Sequence, residues 1–249
     1  MFTDTHCHIY KEYYENIEEV IKNANENKVN RFINNGCDTL SNKEVIALAK
    51  EHKNIYAAIG LHPEYVDNFK DIDIKELIKS LNSPKVIAIG EIGLDYHYTK
   101  ENKEKQKELL ETQLKIAESH SLPVIIHSRE ATEDTINILK KYKTTGVIHS
   151  FSGSLETAKI YIKMGYLLGI NGVITFKNSK LKEVVKNIPL DNIILETDSP
   201  YLTPEPYRGK KNEPARILEI AKFICELKGI TLEELATITN NNIKQIFDI

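Results

Sequence analysis

The stretch Val86-Ile87-Ala88-Ile89-Gly90-Glu91 places four apolar residues in a row before a glycine and a carboxylate. Val124-Ile125-Ile126-His127 repeats this arrangement, with a histidine after the apolar run. An uninterrupted apolar run is typical of a parallel strand that helices cover on both faces. Each stretch therefore predicts an interior strand of a parallel sheet, with a polar side chain at its carboxyl end.

Similar runs recur along the chain and alternate with longer segments whose apolar residues are spaced three and four apart, as in amphipathic helices. The predicted strands are Phe2–His6, Arg31–Asn35, Ile55–Gly60, Val86–Glu91, Val124–His127, Val147–His149, Tyr166–Ile170 and Ile193–Thr197. Their spacing of ~25–35 residues is that of a (β/α)8 barrel. A doubly wound open sheet would need a glycine-rich turn after the first strand, and this chain has none. We predict one α/β domain over residues 1–249, a (β/α)8 TIM barrel.

The composition is that of an ordinary globular protein and excludes few classes of function. The net charge is −3, so contact with nucleic acid would depend on a local basic patch or on bound cations. No basic segment followed by an apolar run begins the chain, and no apolar run is long enough to cross a bilayer. The three cysteines lack Cys-x-x-Cys spacing, which suits a reducing compartment. We expect a cytoplasmic protein without membrane contact.

Two histidines, His6 and His8, lie at the end of the first predicted strand. Side chains alternate along a strand, so both imidazoles face the same way and Cys7 faces the other. Neutral imidazoles are common ligands of divalent transition metals. The spacing alone is a weak signal, because two structural histidines would give the same pattern.

Further imidazoles and carboxylates follow other strands, and the active site of this fold forms at the carboxyl ends of the strands. The full set is His6, His8, Glu91, His127, His149 and Asp198. Six ligands are too many for one catalytic zinc, and they predict two divalent cations. We expect Glu91 to bridge the cations, with the first two histidines and Asp198 on one ion and the last two histidines on the other. Nitrogen and oxygen ligands without thiolate suit Mg, Mn, Zn, Co or Ni.

Several motifs resemble those of the TatD family of metal-dependent deoxyribonucleases and hydrolases, within the amidohydrolase-like superfamily. They follow the family's order along the chain and are Thr3–His8, Gly60–Pro63, Gly90–Tyr96, Leu122–Arg129, His149–Gly153, Glu196–Leu202 and Arg208–Pro214. Ser150 and Asn171 depart from the family, which often has cysteine and serine there. Both departures leave the six predicted ligands unchanged.

The resemblance implies a (β/α)8 barrel, two divalent cations on the six residues above, and 3′→5′ exonuclease action on DNA, single-stranded or at frayed ends. Two cations can lower the pKa of a bound water and neutralise phosphate oxygens. We predict that Asp198 orients this water or takes its proton, and that Glu91 is also catalytic. DNA is then the expected partner, and the protein is expected to be a monomer.

Phosphate binding needs cationic side chains beyond the metals, and the loops after strands seven and eight are the usual place for them in this fold. The predicted substrate contacts are His62, Tyr96, Arg129, Lys177 and Arg208. Tyr96 and Tyr201 are candidates for stacking on an unpaired base. Lys210 and Lys211 fit an ordinary solvated charge run equally well.

Two other functional classes remain open. An ester or small-molecule hydrolase, such as an aminoacyl-tRNA deacylase, would use the same ligands, because an activated water attacks carbonyl carbon as readily as phosphorus. A phosphotriesterase-like site would bridge its metals with a modified lysine, and no lysine ends the fourth strand. A catalytically silent binding module would be expected to lack a ligand, whereas all six are present. The sequence leaves open the metal, DNA or RNA preference, and the mode and polarity of digestion.

Overall fold

The eight strands follow one another in the sheet in the same order as in the chain. The computed structural model describes residues 1–249. The pairs of neighbouring strands described by their register are parallel, and an isolated bridge joins Cys7 to Ser199. This is the strand order of the predicted (β/α)8 barrel. The strands are β1 Phe2–Cys7, β2 Val29–Asn35, β3 Ile55–Ile59, β4 Val86–Asp95, β5 Val124–Arg129, β6 Gly146–Ile148, β7 Tyr166–Ile170 and β8 Ile193–Leu195.

Helices follow the strands, as the amphipathic segments predict. They are α1 Ile17–Glu26, α2 Thr39–Glu51, α3 Asp71–Ser80, α4 Lys103–His120, α5 Thr132–Leu139, α6 Leu155–Lys163, α7 Leu181–Asn187, α8 Ile217–Lys228 and α9 Leu232–Phe247. At the start of α9, the Thr231 side chain accepts a hydrogen bond from the Glu234 backbone and the Glu234 side chain bonds back. None of the helices combines the length and apolar character that a membrane span requires.

β4 is longer than predicted. The sequence placed its end at Glu91, but the strand continues to Asp95 and pairs Gly93 with His127 of β5. Gly93 has a φ of 154°, and a Cβ atom there would lie 1.9 Å from the His127 carbonyl oxygen. Because only glycine tolerates this backbone conformation and close approach, Gly93 lets β4 and β5 stay paired beyond the predicted end.

β6 and β8 end earlier than predicted, at Ile148 and Leu195. Two residues shortly after them have left-handed backbone, Ser150 with φ of 48° and Asp198 with φ of 56°. This conformation cannot continue a strand. His149 and Asp198 therefore lie in the segments that follow the strands.

Contacts divide the chain into two compact units, of which the first is Met1–Asn34 together with Ser150–Ile249. It contains β1, nearly all of β2, β7 and β8. Helices α8 and α9 both contact β1 and β8. Fully buried side chains fill its interior and include Phe32, Ile33, Leu168, Ile194, Ile220 and Ile243.

The second unit is Asn35–His149, which holds β3 to β6. Helix α2 packs on β3, and α4 packs on β4. The buried side chains of this unit include Ile59, Ile89, Ile92, Leu94, Leu110 and Ile126. The single domain predicted for residues 1–249 stays a prediction.

Buried carboxamides bind the backbone where strands end in the second unit. Asn42 accepts a hydrogen bond from Gly60 N at 3.1 Å and donates one to Gly60 O at 2.8 Å. Gln113 does the same for Leu61, at 2.8 and 3.0 Å. A carboxamide offers the same donor and acceptor as a neighbouring strand, so it satisfies peptide groups that have left the sheet. These bonds fix the segment that leads from β3 to His62.

Replacing Gln113 with leucine removes both hydrogen bonds to Leu61 and leaves two buried peptide groups without partners. We expect the free energy of unfolding to fall by about 3 kcal/mol. Urea denaturation followed by circular dichroism measures the change. Gln245→Leu, at an exposed position in α9, is the matched control and should cost less than ~0.5 kcal/mol. Equal stability of Gln113→Leu and the wild type would contradict this role.

Candidate metal centre

The first ligand cluster, formed by His6, His8 and Asp198, lies where β1 ends beside the segment after β8. Alternation along β1 places both imidazoles on one side of the strand. Backbone hydrogen bonds join the two segments, from Asp198 N to His6 O at 2.9 Å and from His8 N to Ser199 O at 2.8 Å. The ligands are therefore positioned by main-chain contacts as well as by packing.

The three ligand atoms of the first cluster form a nearly equilateral triangle. His6 Nε2 lies 3.2 Å from His8 Nε2, and Asp198 Oδ1 lies 3.7 and 3.5 Å from these two nitrogens. Ligands around a tetrahedral zinc, at ~2.0–2.1 Å from the metal, are about 3.4 Å apart. The triangle fits one cation with three protein ligands, and such a set leaves a coordination position for water or substrate, as in catalytic sites.

Two neighbouring side chains hold the first cluster in place. The Tyr10 hydroxyl lies 2.9 Å from His8 Nδ1, which orients the ring with Nε2 towards Asp198. The fully buried Asp4 accepts hydrogen bonds from the Thr197 backbone N–H and hydroxyl. Burial raises the pKa of Asp4 to about 8, against the opposing effect of the Thr197 hydrogen bonds. Asp4 therefore ties β1 to the segment that carries Asp198.

The second cluster surrounds one oxygen of Glu91 with three imidazoles. Glu91 Oε1 lies 2.8 Å from His127 Nδ1, 3.4 Å from His62 Nε2 and 3.6 Å from His149 Nε2. These separations again suit ligands of one cation. The sequence predicted His62 as a substrate contact, and the structure places it among the potential ligands. Glu91 and the histidines are mostly buried. Their potential metal-ligand atoms therefore lie close together with little access to water.

Asp95 was missed as a functional residue by the sequence analysis. Its Oδ2 lies 3.0 Å from His127 Nε2, so His127 is held between Asp95 and Glu91. Burial lowers the pKa of His127, but hydrogen bonds with Asp95 and Glu91 outweigh burial and raise it to about 10. The alternation of side chains along a strand could have identified Asp95. Residues 91, 93 and 95 share one face of β4 if the strand is taken to reach Asp95.

Tyr96, predicted as a stacking residue, is buried with only 3% of its surface exposed. Its hydroxyl donates to Asp134 Oδ2 at 2.8 Å, and the Lys103 ammonium lies 4.2 Å from the ring centroid. The ring face is therefore covered by the protein's own side chains. The buried ring does not offer a face on which a base could stack.

The three predicted cationic contacts are all exposed and lie at or after strand ends. Arg129 ends β5, and its guanidinium lies 5.1 Å from the Tyr98 ring centroid. Lys177 follows β7. Arg208, in the long segment after β8, stacks 3.9 Å from the Phe176 ring centroid. Their side chains are exposed, and their roles as phosphate contacts stay predictions.

Imidazole and carboxylate clusters that follow the strands of a (β/α)8 barrel define the class of metal-dependent hydrolases. The chain belongs to the TatD family, since the family model described as TatD related DNase matches residues 3–248.

Relatives of known sequence or structure agree with this assignment. The chain is 44% identical to the uncharacterized metal-dependent hydrolase YabD of Bacillus subtilis, with 100% of both chains covered. It is similar to the crystal structure of YjjV, a TatD homologue from Escherichia coli, with a TM-score of 0.94, 34% identity, and 100% and 98% of the two chains covered. A phosphotriesterase homology protein from Escherichia coli shares the fold alone, with a TM-score of 0.69 and 15% identity over 99% and 98% of the chains.

Asp95→Asn should weaken cation binding by about 10- to 100-fold, because the carboxylate that orients His127 becomes a neutral amide. Calorimetric titration of the chelator-treated protein with Mn²⁺ or Zn²⁺ measures the affinity. Asp134→Asn is the matched control, since that carboxylate binds Tyr96 and lysine rather than an imidazole. Unchanged affinity in Asp95→Asn, with unchanged folding, would show that His127 needs no such partner.

Proposed function

We propose that the protein is a deoxyribonuclease that hydrolyses phosphodiester bonds of single-stranded DNA, or of frayed ends, in the 3′→5′ direction. The supporting observation is the ligand spacing in each cluster, which suits one cation in the first cluster and one in the second. Paired cations are the usual means of hydrolysing a phosphodiester, because both the attacking and the leaving oxygen carry negative charge. The family name points to the same substrate.

Each cluster is assigned one divalent cation in this proposal. His6, His8 and Asp198 would hold the first, and Glu91 with its surrounding imidazoles would hold the second. When bound, such cations lower the pKa of water and neutralise phosphate oxygens. The sequence-based assignment of Glu91 as a ligand shared by both cations stays a prediction.

The chain's own side chains supply the remaining chemistry. The Asp198 carboxylate faces both imidazoles of its cluster, and we assign it to orient the attacking water or to take its proton. Its left-handed backbone, unusual for a residue with a side chain, is the kind of constrained conformation found at functional sites. Arg129, Lys177 and Arg208 provide exposed positive charge for the phosphates of the strand. With a net charge of −3, the protein would attract DNA through these local groups rather than globally.

End-labelled single-stranded DNA should be degraded in the presence of Mg²⁺, Mn²⁺ or Zn²⁺. A 5′-labelled strand should give a ladder of shortening products, since digestion starts at the 3′ end. Glu91→Ala should reduce the rate at least ~100-fold by removing the carboxylate at the centre of the second cluster. Glu108→Ala, at an exposed position in α4, is the control and should match the wild type.

Two outcomes would contradict the proposal. Intact DNA with every metal, together with hydrolysis of an aminoacyl-tRNA or a small ester, would assign the protein to the ester hydrolases instead. Near-normal turnover of Asp198→Asn with its cations bound would remove Asp198 from the chemistry while leaving the substrate assignment standing.

A further inference from the structure

Three tyrosines form a continuous group of rings, which we name the tyrosine platform: Tyr10, Tyr13 and Tyr201. Tyr10 and Tyr13 are stacked, with ring centroids 5.4 Å apart and an interplanar angle of 24°. Tyr13 meets Tyr201 edge to face at 5.9 Å, and their hydroxyls hydrogen-bond at 3.0 Å. The platform thus combines residues from the segment after β1 and the segment after β8.

The platform leads outward from the first ligand cluster. At its inner end the buried Tyr10 hydrogen-bonds His8, a proposed cation ligand. At its outer end the Tyr201 ring lies 6.4 Å from the His8 ring, and 51% of the Tyr201 surface is exposed. Tyr201 also follows Asp198 by only three residues, with its backbone N–H bonded to Asp198 O at 2.8 Å. An exposed aromatic ring is therefore fixed directly beside the proposed site of phosphate chemistry.

The backbone under the platform is held firmly. Tyr13 N and Tyr14 N both donate to Tyr10 O, at 3.0 and 2.9 Å, in a tight turn. The Tyr14 hydroxyl donates to Asn212 O at 2.8 Å, and the Lys211 ammonium donates to Tyr13 O. These bonds fix the backbone that carries Tyr10 and Tyr13, and the hydrogen bond between the Tyr13 and Tyr201 hydroxyls orders the rings. A ligand that stacks on them therefore loses little conformational entropy.

We propose that the tyrosine platform is a nucleobase subsite, on which the base of a nucleotide stacks while its phosphate lies at the first ligand cluster. The inference rests on the proposed function, which names DNA as the polymer. The subsite itself recognises a single nucleotide of that polymer. Tyrosine rings are suited to this, because every base has a π-face and stacking is tolerant of sequence. The exposed Tyr201 ring provides the contact surface, and Tyr13 holds it through the hydroxyl bond.

The test compares two small ligands that differ only in the base. Calorimetry with the metal-loaded protein measures the affinity for deoxyadenosine 5′-monophosphate and for 2-deoxyribose 5-phosphate. We expect the base to improve affinity by about 10-fold in the wild type, the scale of one stacked base. Tyr201→Ala should abolish this difference, and should leave the affinity for the sugar phosphate unchanged. Tyr201→Phe, which keeps the ring, should retain the preference.

Tyr56→Ala is the control, because Tyr56 is a partly buried tyrosine near the amino end of β3, and it should behave as the wild type. Equal affinity of the wild type for the two ligands, no binding of either ligand at millimolar concentration, or a preference that survives in Tyr201→Ala would overturn the subsite. These results are independent of the DNA digestion assay. A base preference in a protein that leaves DNA intact would retain the subsite and reject the nuclease, and the converse would reject only the subsite.

Discussion

The proposed site depends on how backbone peptide groups are satisfied where strands end. A strand that stops inside the protein leaves N–H and C=O groups without sheet partners, at the positions that must hold ligands. Buried carboxamides meet this need in both units. Asn34 bonds both peptide groups of Ile9, directly after His8, and Gln106 bonds both peptide groups of Asp95. These hydrogen bonds restrain the ligand-bearing segments, and a metal site requires such restraint because ligand positions must be accurate.

The signals that the sequence carries most clearly are local ones. An apolar run such as Val124–Ile126 identifies a buried parallel strand by itself, and the residue after it is placed at the strand end by the fold. The strand order followed from these local patterns, and the assignment of the six ligands from the residues after the strands stays a prediction. Asp4 and Asp95 were not recognised, because their roles depend on partners 193 and 32 residues away along the chain. Alternation would place Asp95 on the face of Glu91 only once β4 is known to reach Asp95, and no local pattern identifies the distant partner of either carboxylate.

Strand boundaries failed for a related reason. The predicted end of β4 was Glu91, but pairing with β5 extends the strand to Asp95. The pairing is possible because Gly93 allows the backbones of β4 and β5 to approach closely. The length of β4 therefore depends on β5 as well as on the sequence of β4. The extension has a chemical consequence. It brings Asp95 to the same face as Glu91, so that His127 is held by two carboxylates instead of one.

The second cluster also links cation binding to protonation. Two carboxylates beside His127 raise its pKa to about 10 despite its burial, so the ring carries a proton at neutral pH when no cation is bound. A ring nitrogen must lose its proton before it can bind a metal, so cation binding releases protons and strengthens as the pH rises. The same carboxylates that favour the proton also attract the cation that displaces it. Burial raises the pKa of Asp95, but its hydrogen bond with His127 outweighs burial and lowers this pKa, so the buried carboxylate is stabilised by the ring that it orients.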